Sequence, residues 1–198
     1  MQASKGRKGS SDPRARLDEL AVRAQPRDNR AVTLGELDRL FRTGRAPDPL
    51  PEGFHPGRLL TTSIWGPFDS FVSRVAQAWM PWKGKSFDMS TSMGVNRFDS
   101  SGRVPLRVVF PGYRPERDLG DLLEAFPFHN RVAPGEIDQD VQVYKIDYDF
   151  EANPTFIIRR ILDELVQIDE GLYLGKILFR TRSGFHPIGF FSLERPAS

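Results

Sequence analysis

Eight side chains offer chemistry beyond packing: Trp65, Trp82, Lys85, Asn96, Arg107, Tyr148, Tyr173 and Lys176. Each falls in or beside a stretch that reads as a β-strand, and together they join large aromatic surface to a few polar or cationic ends. That mixture suits a pocket for one small ligand, in which apolar bulk supplies affinity and sparse polar groups set orientation. An inward Arg or Lys would match a carboxylate head group. The competing expectation is that the aromatics simply fill a small barrel while the charges point outward.

A second set is acidic. Asp147 and Asp149 share a strand face with Lys145, an arrangement that more often makes a solvated ion-pair ladder than an acid–base pair. Asp163 and Glu164 read as candidate general bases at the end of a helix, without a partner that the sequence can name. His55, His129 and His186 lie far apart, two of them beside proline and none at a metal-ligand spacing, so each is expected at the surface or in a loop. No metal site and no cofactor are expected. With no cysteine in the chain, disulfides, thiol catalysis and Cys-ligated zinc are excluded. There is no G-x-S-x-G elbow and no glycine-rich phosphate loop, and Gly84 between Lys83 and Lys85 is too little to argue an anion site.

The elements carrying these residues follow from periodicity and turn signals. Val141–Leu193 is the most densely apolar stretch. A strand from Val141 places Tyr144, Ile146, Tyr148 and Phe150 on one face, and Leu172–Arg180 sets Tyr173, Gly175, Ile177 and Phe179 against Leu174, Lys176 and Leu178. Glu170-Gly171 and Ser183-Gly184 read as hairpin turns. Asn153-Pro154 reads as a helix start, with a strand from Thr155 as the rival assignment. Upstream, Thr33 to Glu36 is a capping box opening a short helix through Phe41. Residues 47–57 read as an extended loop and Arg58–Ile64 as a strand. A helix from Pro67 presents Phe68, Phe71, Val72, Val75 and Trp79 on one side. Lys85–Phe98 is expected to turn at 99–102 into a returning strand, Val104–Phe110, with Arg107 on its polar face. Leu119–Ala125 suits a short helix, and Phe126–His129 an edge strand because of Pro127. The sum is seven or eight short, mostly antiparallel strands with two or three helices, a spacing that fits a barrel or sandwich.

Trp82-Lys83-Gly84-Lys85-Ser86-Phe87, then Ile146-Asp147-Tyr148-Asp149 with Asn153-Pro154, then Gly171-Leu172-Tyr173-Leu174-Gly175 form an ordered set. The set resembles uncharacterised bacterial proteins named for a G-x-W-x-G signature, over about Trp79 to Phe179. The naming motif is absent, since Ser63-Ile64 precede Trp65 and Gly66-Pro67 follow it. The resemblance implies a mainly β fold with flanking helices, an antiparallel calycin-like β-barrel with a lipocalin-like or fatty-acid-binding-like pocket. It supplies no catalytic residue.

Residues 1–30 hold eight Lys or Arg against four Asp or Glu, whereas the whole chain carries only +2, so residues 31–198 are weakly acidic. This composition predicts a disordered basic leader, 1–30, ahead of a single barrel-like domain, 31–198. A weakly acidic domain argues against nucleic acid as partner, while the leader leaves a peripheral membrane contact open. No apolar run approaches the ~20 residues of a membrane span, and no signal-like apolar region follows Met1, so a cytoplasmic protein is expected. The leading functional expectation is binding of a small hydrophobic or lipid-like ligand in the barrel. The alternatives are an isomerase, cyclase or hydrolase on the same scaffold, using Asp147, Asp163 or Glu164 as base, and a peripheral membrane or protein-interaction domain using the leader and the 68–82 helix. Ligand identity and oligomeric state do not follow from the sequence.

Overall fold

The computed structural model describes residues 12–24, 30–62 and 81–196. Among these, nine strands run in chain order: β1 (Gly53–Thr62), β2 (Trp82–Asp88), β3 (Met93–Asp99), β4 (Arg117–Asp118), β5 (Leu122–Pro134), β6 (Gln142–Asp147), β7 (Ile161–Asp169), β8 (Leu172–Thr181) and β9 (Gly184–Glu194). Every pairing is antiparallel. The order β3-β2-β1-β9-β8-β7-β6-β5 returns on itself because β5 also pairs with β3, so eight strands close into a barrel and the two-residue β4 lies against β5. The expected mainly β fold with flanking helices is therefore present. Closure removes the free sheet edges that would otherwise template aggregation.

Among the described residues three α-helices accompany the barrel: α1 (Pro13–Arg23), α2 (Arg30–Phe41) and α3 (Arg103–Val109). Strand periodicity separates two apolar cores. Inside the barrel, Phe87, Phe98, Phe128, Tyr144, Ile146, Tyr148, Leu165, Tyr173, Phe191 and Leu193 form one cluster. Outside it, Val143, Val166, Leu172, Leu174 and Phe190 are covered by Leu17 and Leu20 of α1 and by Leu37, Leu40 and Phe41 of α2. Gly94 and Gly175 leave room for rings from the facing strands, since a Cβ at either would meet the ring of Phe128 or Phe191.

Several sequence expectations are corrected. Within the basic leader, residues 13–23 are α-helical rather than disordered: Asp12 caps the first turn, accepting the Arg14 N–H at 3.0 Å, Pro13 opens it, and Leu17 and Leu20 are buried on the barrel. α2 begins at Arg30, so Thr33 lies inside the helix and does not cap it. β1 starts at Gly53, within the stretch read as loop. The hairpin turn between β2 and β3 lies at 89–92, where Asp88 Oδ1 accepts the N–H groups of Ser90 (2.9 Å) and Thr91 (3.3 Å). The stretch 103–109 is α3 and not a strand: Leu106 and Phe110, four apart, are buried, while Val104 and Val108 are exposed. Leu122–Pro134 is one long strand in the closed sheet, so Phe126–His129 is not an edge and Leu119–Ala125 is not a helix. Asn153 caps no helix; its side-chain N–H groups go to the carbonyls of Pro127 (2.7 Å) and Tyr148 (3.0 Å), and a 3-10 turn over Ile158–Arg160 leads into β7. The helix expected over 68–79, and Trp65, lie outside the described residues.

Candidate functional site

The polar groups of the site come from three strands, β2, β3 and β7, and from Tyr148 just past the end of β6, with rings from β5 and β9 around them. Trp82 and Lys85 are three apart on β2 and would ordinarily face opposite ways. A bulge between Trp82 and Gly84 adds one residue on that side of the ladder and turns both inward. Gly84 is required there: its φ is 143°, and a Cβ would fall on the carbonyl of His55. A second irregularity lies on β5 opposite β3, where the step from Gly94 to Asn96 is matched by the longer step from Phe128 to Ala125. At that bulge Phe126 adopts a φ of 56°, a left-handed conformation uncommon for a bulky residue. Its N–H donates to Tyr113 Oη at 2.6 Å, and its carbonyl accepts from Asn96 Nδ2 at 3.1 Å.

Inside the barrel the polar groups converge on Lys85, which is 2 % exposed. Its Nζ lies 2.9 Å from Asp163 Oδ2, donates to Asn96 Oδ1 at 3.0 Å, and donates to Tyr148 Oη. Trp82 Nε1 also donates to Asn96 Oδ1, at 3.1 Å, and Tyr148 Oη lies 3.2 Å from Asp163 Oδ2. Rings of Trp82, Phe128, Tyr148 and Phe191 surround the ammonium with centroids 5.0–5.6 Å away. The other carboxylate oxygen, Asp163 Oδ1, is buried and has no hydrogen-bond partner among the described residues.

Burial governs the electrostatics. Desolvation pushes the Lys85 amine below the usual lysine range, and its ion pair with Asp163 only partly restores it. Desolvation likewise raises the Asp163 carboxyl, opposed by Lys85 and by hydrogen bonds from Lys85 and Tyr148. Tyr148 is raised well above a free phenol, first by burial and then by the Asp163 charge. Burial thus disfavours the charged form of both groups, while their mutual attraction opposes it. On the same wall His55, 3 % exposed, meets the rings of Phe87 and Tyr173 edge-on, and burial lowers its pKa.

Of the eight residues singled out from sequence, Trp82, Lys85, Asn96 and Tyr148 meet in this one cluster. Tyr173 is also interior but packs on His55, away from the ammonium. Lys176 is correctly placed on β8 but faces outward, between Asp38 (2.6 Å) and Asp138 beneath α2. Arg107 is exposed on α3 and takes no part. The expected ladder of Asp147 and Asp149 with Lys145 does not form: β6 ends at Asp147, which pairs with Arg131 (3.2 Å), Asp149 beyond it pairs with Arg159 (2.7 Å) and Arg180 (3.3 Å), and Lys145 pairs with Glu136 (2.7 Å). Asp163 and Glu164 sit on a strand and not at a helix end, so they point to opposite sides of the wall. Glu164 accepts the N–H of Glu136 at 2.5 Å outside the barrel. His55, expected at the surface, is buried. The signal that could have found Asp163 is the run Ile161–Ile168 read as a strand, in which either face holds one acid among apolar neighbours.

A cleft of about 390 Å³ opens between the end of α3 and the 152–157 loop and is lined by none of the cluster residues. Phe110 and Ile157 in its wall belong to the interior core, and Tyr113, also in that wall, stacks on Phe126 with ring centroids 4.7 Å apart. A larger groove, about 520 Å³, is lined by Arg45, Asp48, Gln167, Glu170 and Arg195 and touches none of these groups. Among the described residues, no three His, Asp or Glu side chains converge as a metal would need, and no helix is long and apolar enough to cross a membrane.

No family model matches the chain, and no curated protein matches it. Among solved structures, a crystal structure of a protein from Thermomonospora curvata is similar over 85% of this chain and 88% of that one, with a TM-score of 0.50 and 14% sequence identity. At that identity the likeness supports the barrel fold and nothing finer.

Proposed function

We propose that the barrel binds one small, mainly apolar molecule and orients it by a single neutral polar group against Lys85, Asp163, Tyr148 and Asn96. The observation that carries this reading is the unpartnered Asp163 Oδ1, buried beside Lys85 within an aromatic lining. An unsatisfied buried carboxylate oxygen costs free energy that a ligand hydroxyl or protonated group would recover. Eight-strand up-and-down closure is also the architecture of calycin-type barrels, whose interior holds one small ligand. The charge balance refines the head group expected from sequence. Asp163 already neutralises Lys85, so a ligand carboxylate would meet a like charge, whereas an alcohol or carbonyl would not.

The test is direct. Titration with 1-octanol and with octanoate, followed by the Asn96 side-chain amide signals, should show the alcohol binding at least about tenfold more tightly, a difference of about 1.4 kcal/mol. Native mass spectrometry of protein purified from its own host should show a co-purifying neutral molecule. Tighter binding of octanoate would restore the carboxylate ligand, and no response to either would overturn the reading.

An enzymatic reading uses the same residues. It draws on the opposed shifts of Asp163 and Lys85 in one enclosed site, the usual setting of an acid–base pair. Asp163 is then the base, and the outward Asp147 and Glu164 drop out. Turnover of a co-purified ligand should be lost in Asp163→Asn while its binding persists; unchanged turnover would remove this reading. The peripheral membrane reading draws no support from α1, whose Leu17 and Leu20 are spent on the barrel.

A further inference from the structure

We propose that Lys85 is an amine nucleophile that condenses with the carbonyl of an apolar aldehyde or ketone held inside the barrel. This rests on the binding reading above and names its ligand class. Three observations on the page converge. The first is the enclosure of Nζ by four aromatic rings, a desolvated setting of the kind that activates lysine for imine formation. The second is Asp163, close enough at 2.9 Å to take one ammonium proton and to stay on as counter-ion to a cationic product. The third is the orienting frame. Asn96 receives Trp82 Nε1 and Lys85 Nζ on one oxygen and donates to Tyr148 Oη (3.0 Å) and the Phe126 carbonyl, which holds its amide in one orientation.

The step balances within the site. Lys85 passes a proton to Asp163, and the freed nitrogen lone pair forms a bond to the carbonyl carbon as the C=O π pair moves to oxygen. A second proton leaves nitrogen for that oxygen, with the Tyr148 hydroxyl in reach to relay it. Asp163 returns its proton to the resulting hydroxyl, the C–O bond breaks, and water departs. The product is a protonated imine paired with the Asp163 carboxylate, so ammonium and carbonyl have become iminium and water with no change in charge.

Lys176 provides the internal control. It is as deeply buried as Lys85 and also lies over aromatic rings, but it faces outward between two carboxylates. Labelling that required global unfolding would reach both lysines alike.

The experiment treats the full chain at neutral pH with benzaldehyde and sodium cyanoborohydride, which traps imines as benzylamines, and maps adducts by peptide mass. Benzyl alcohol, which lacks the carbonyl, is titrated in parallel and followed by the Asn96 amide signals. Lys85 should be labelled at least about tenfold faster than Lys176, whose ammonium is clamped between the carboxylates of Asp38 and Asp138. Lys85→Arg, which keeps the cation without the nucleophile, should lose the adduct. Labelling of Lys85 no faster than Lys176, with benzyl alcohol bound, would overturn the amine chemistry and leave the binding reading intact. Failure of benzyl alcohol to bind, together with no selective adduct, would overturn both. The wild-type map decides these outcomes even if the arginine variant fails to fold.

Discussion

Lys85 faces into the barrel from β2 and Lys176 faces out from β8, each almost fully buried and each against aromatic rings, yet their surroundings differ in what is left unsatisfied. Lys176 ties β8 to α2: it pairs with Asp138, which Arg42 also holds, and with Asp38, whose side chain is 42% exposed. Two basic and three acidic groups make up that cluster, since Arg42 also pairs with Asp140 (3.0 Å). Lys85 meets one carboxylate, one amide and one phenol, and the carboxylate keeps an oxygen with no partner. Burial of a charge alone therefore does not mark a site. Unused hydrogen-bonding capacity among buried aromatic side chains does, because nothing among the described residues repays its desolvation.

The largest expected effect tests that contrast. Lys85→Met leaves Asp163 buried without its cation and should cost about 3–5 kcal/mol in urea unfolding, whereas Lys85→Met with Asp163→Leu should recover most of the loss. If the double variant is no better than the single one, the pair is not the isolated interior unit described. Lys176→Met should cost less, about 1.5–3 kcal/mol, because Arg42 still answers Asp138. A loss equal to that of Lys85→Met would erase the distinction between the two lysines.

His55 sharpens the comparison through pH. Its folded pKa is lowered, so between that value and the unfolded value near 6.5 the unfolded chain binds more protons. Stability should therefore rise with pH through this window and fall as pH drops below about 6.5. Against the wild type, His55→Phe should flatten the slope by up to about 1.4 kcal/mol per pH unit, as measured by denaturation at pH 5 to 7. An unchanged slope would mean that the imidazole is not held neutral by burial. The smallest effect is at Arg107, exposed on α3: Arg107→Ala should change stability by less than about 0.5 kcal/mol and leave octanol binding unchanged. A clear loss of binding would return Arg107 to the site.

Local pattern was a good guide wherever the strand period and the turn agreed. Leu172–Arg180 reads correctly from its alternation, the turn at Glu170-Gly171 lies where its hairpin forms, and the turn expected at Ser183-Gly184 falls one residue earlier, at Arg182-Ser183, because Gly184 already pairs with Thr181. Val104 to Phe110 shows where period alone misleads. Its alternating apolar residues fit a strand, but Leu106 and Phe110 also satisfy the four-residue repeat of a helix, and packing on the interior core selects the helix. Four of the eight candidate residues were brought together, but the cation at their centre could not be paired from sequence. Asp163 was legible as an acid and not as an inward one, since a helical or a strand reading of Ile161–Asp169 sends it to different places.

The sequence by itself determined the building material: a β-rich domain, turn-bounded strands with two usable faces, and a thinly spread set of polar aromatic and cationic side chains. Those properties are local, set by the alternation of side chains along each strand and by the turn residues between strands. The tertiary structure alone decided that Lys85, Asn96, Tyr148 and Asp163 share one point in space. Their meeting depends on the closure of β5 onto β3 and on the bulges at Gly84 and Phe126, which shift side-chain parity by one residue. Parity across a closed sheet is a property of the whole circuit of strands, and no window along the chain contains it.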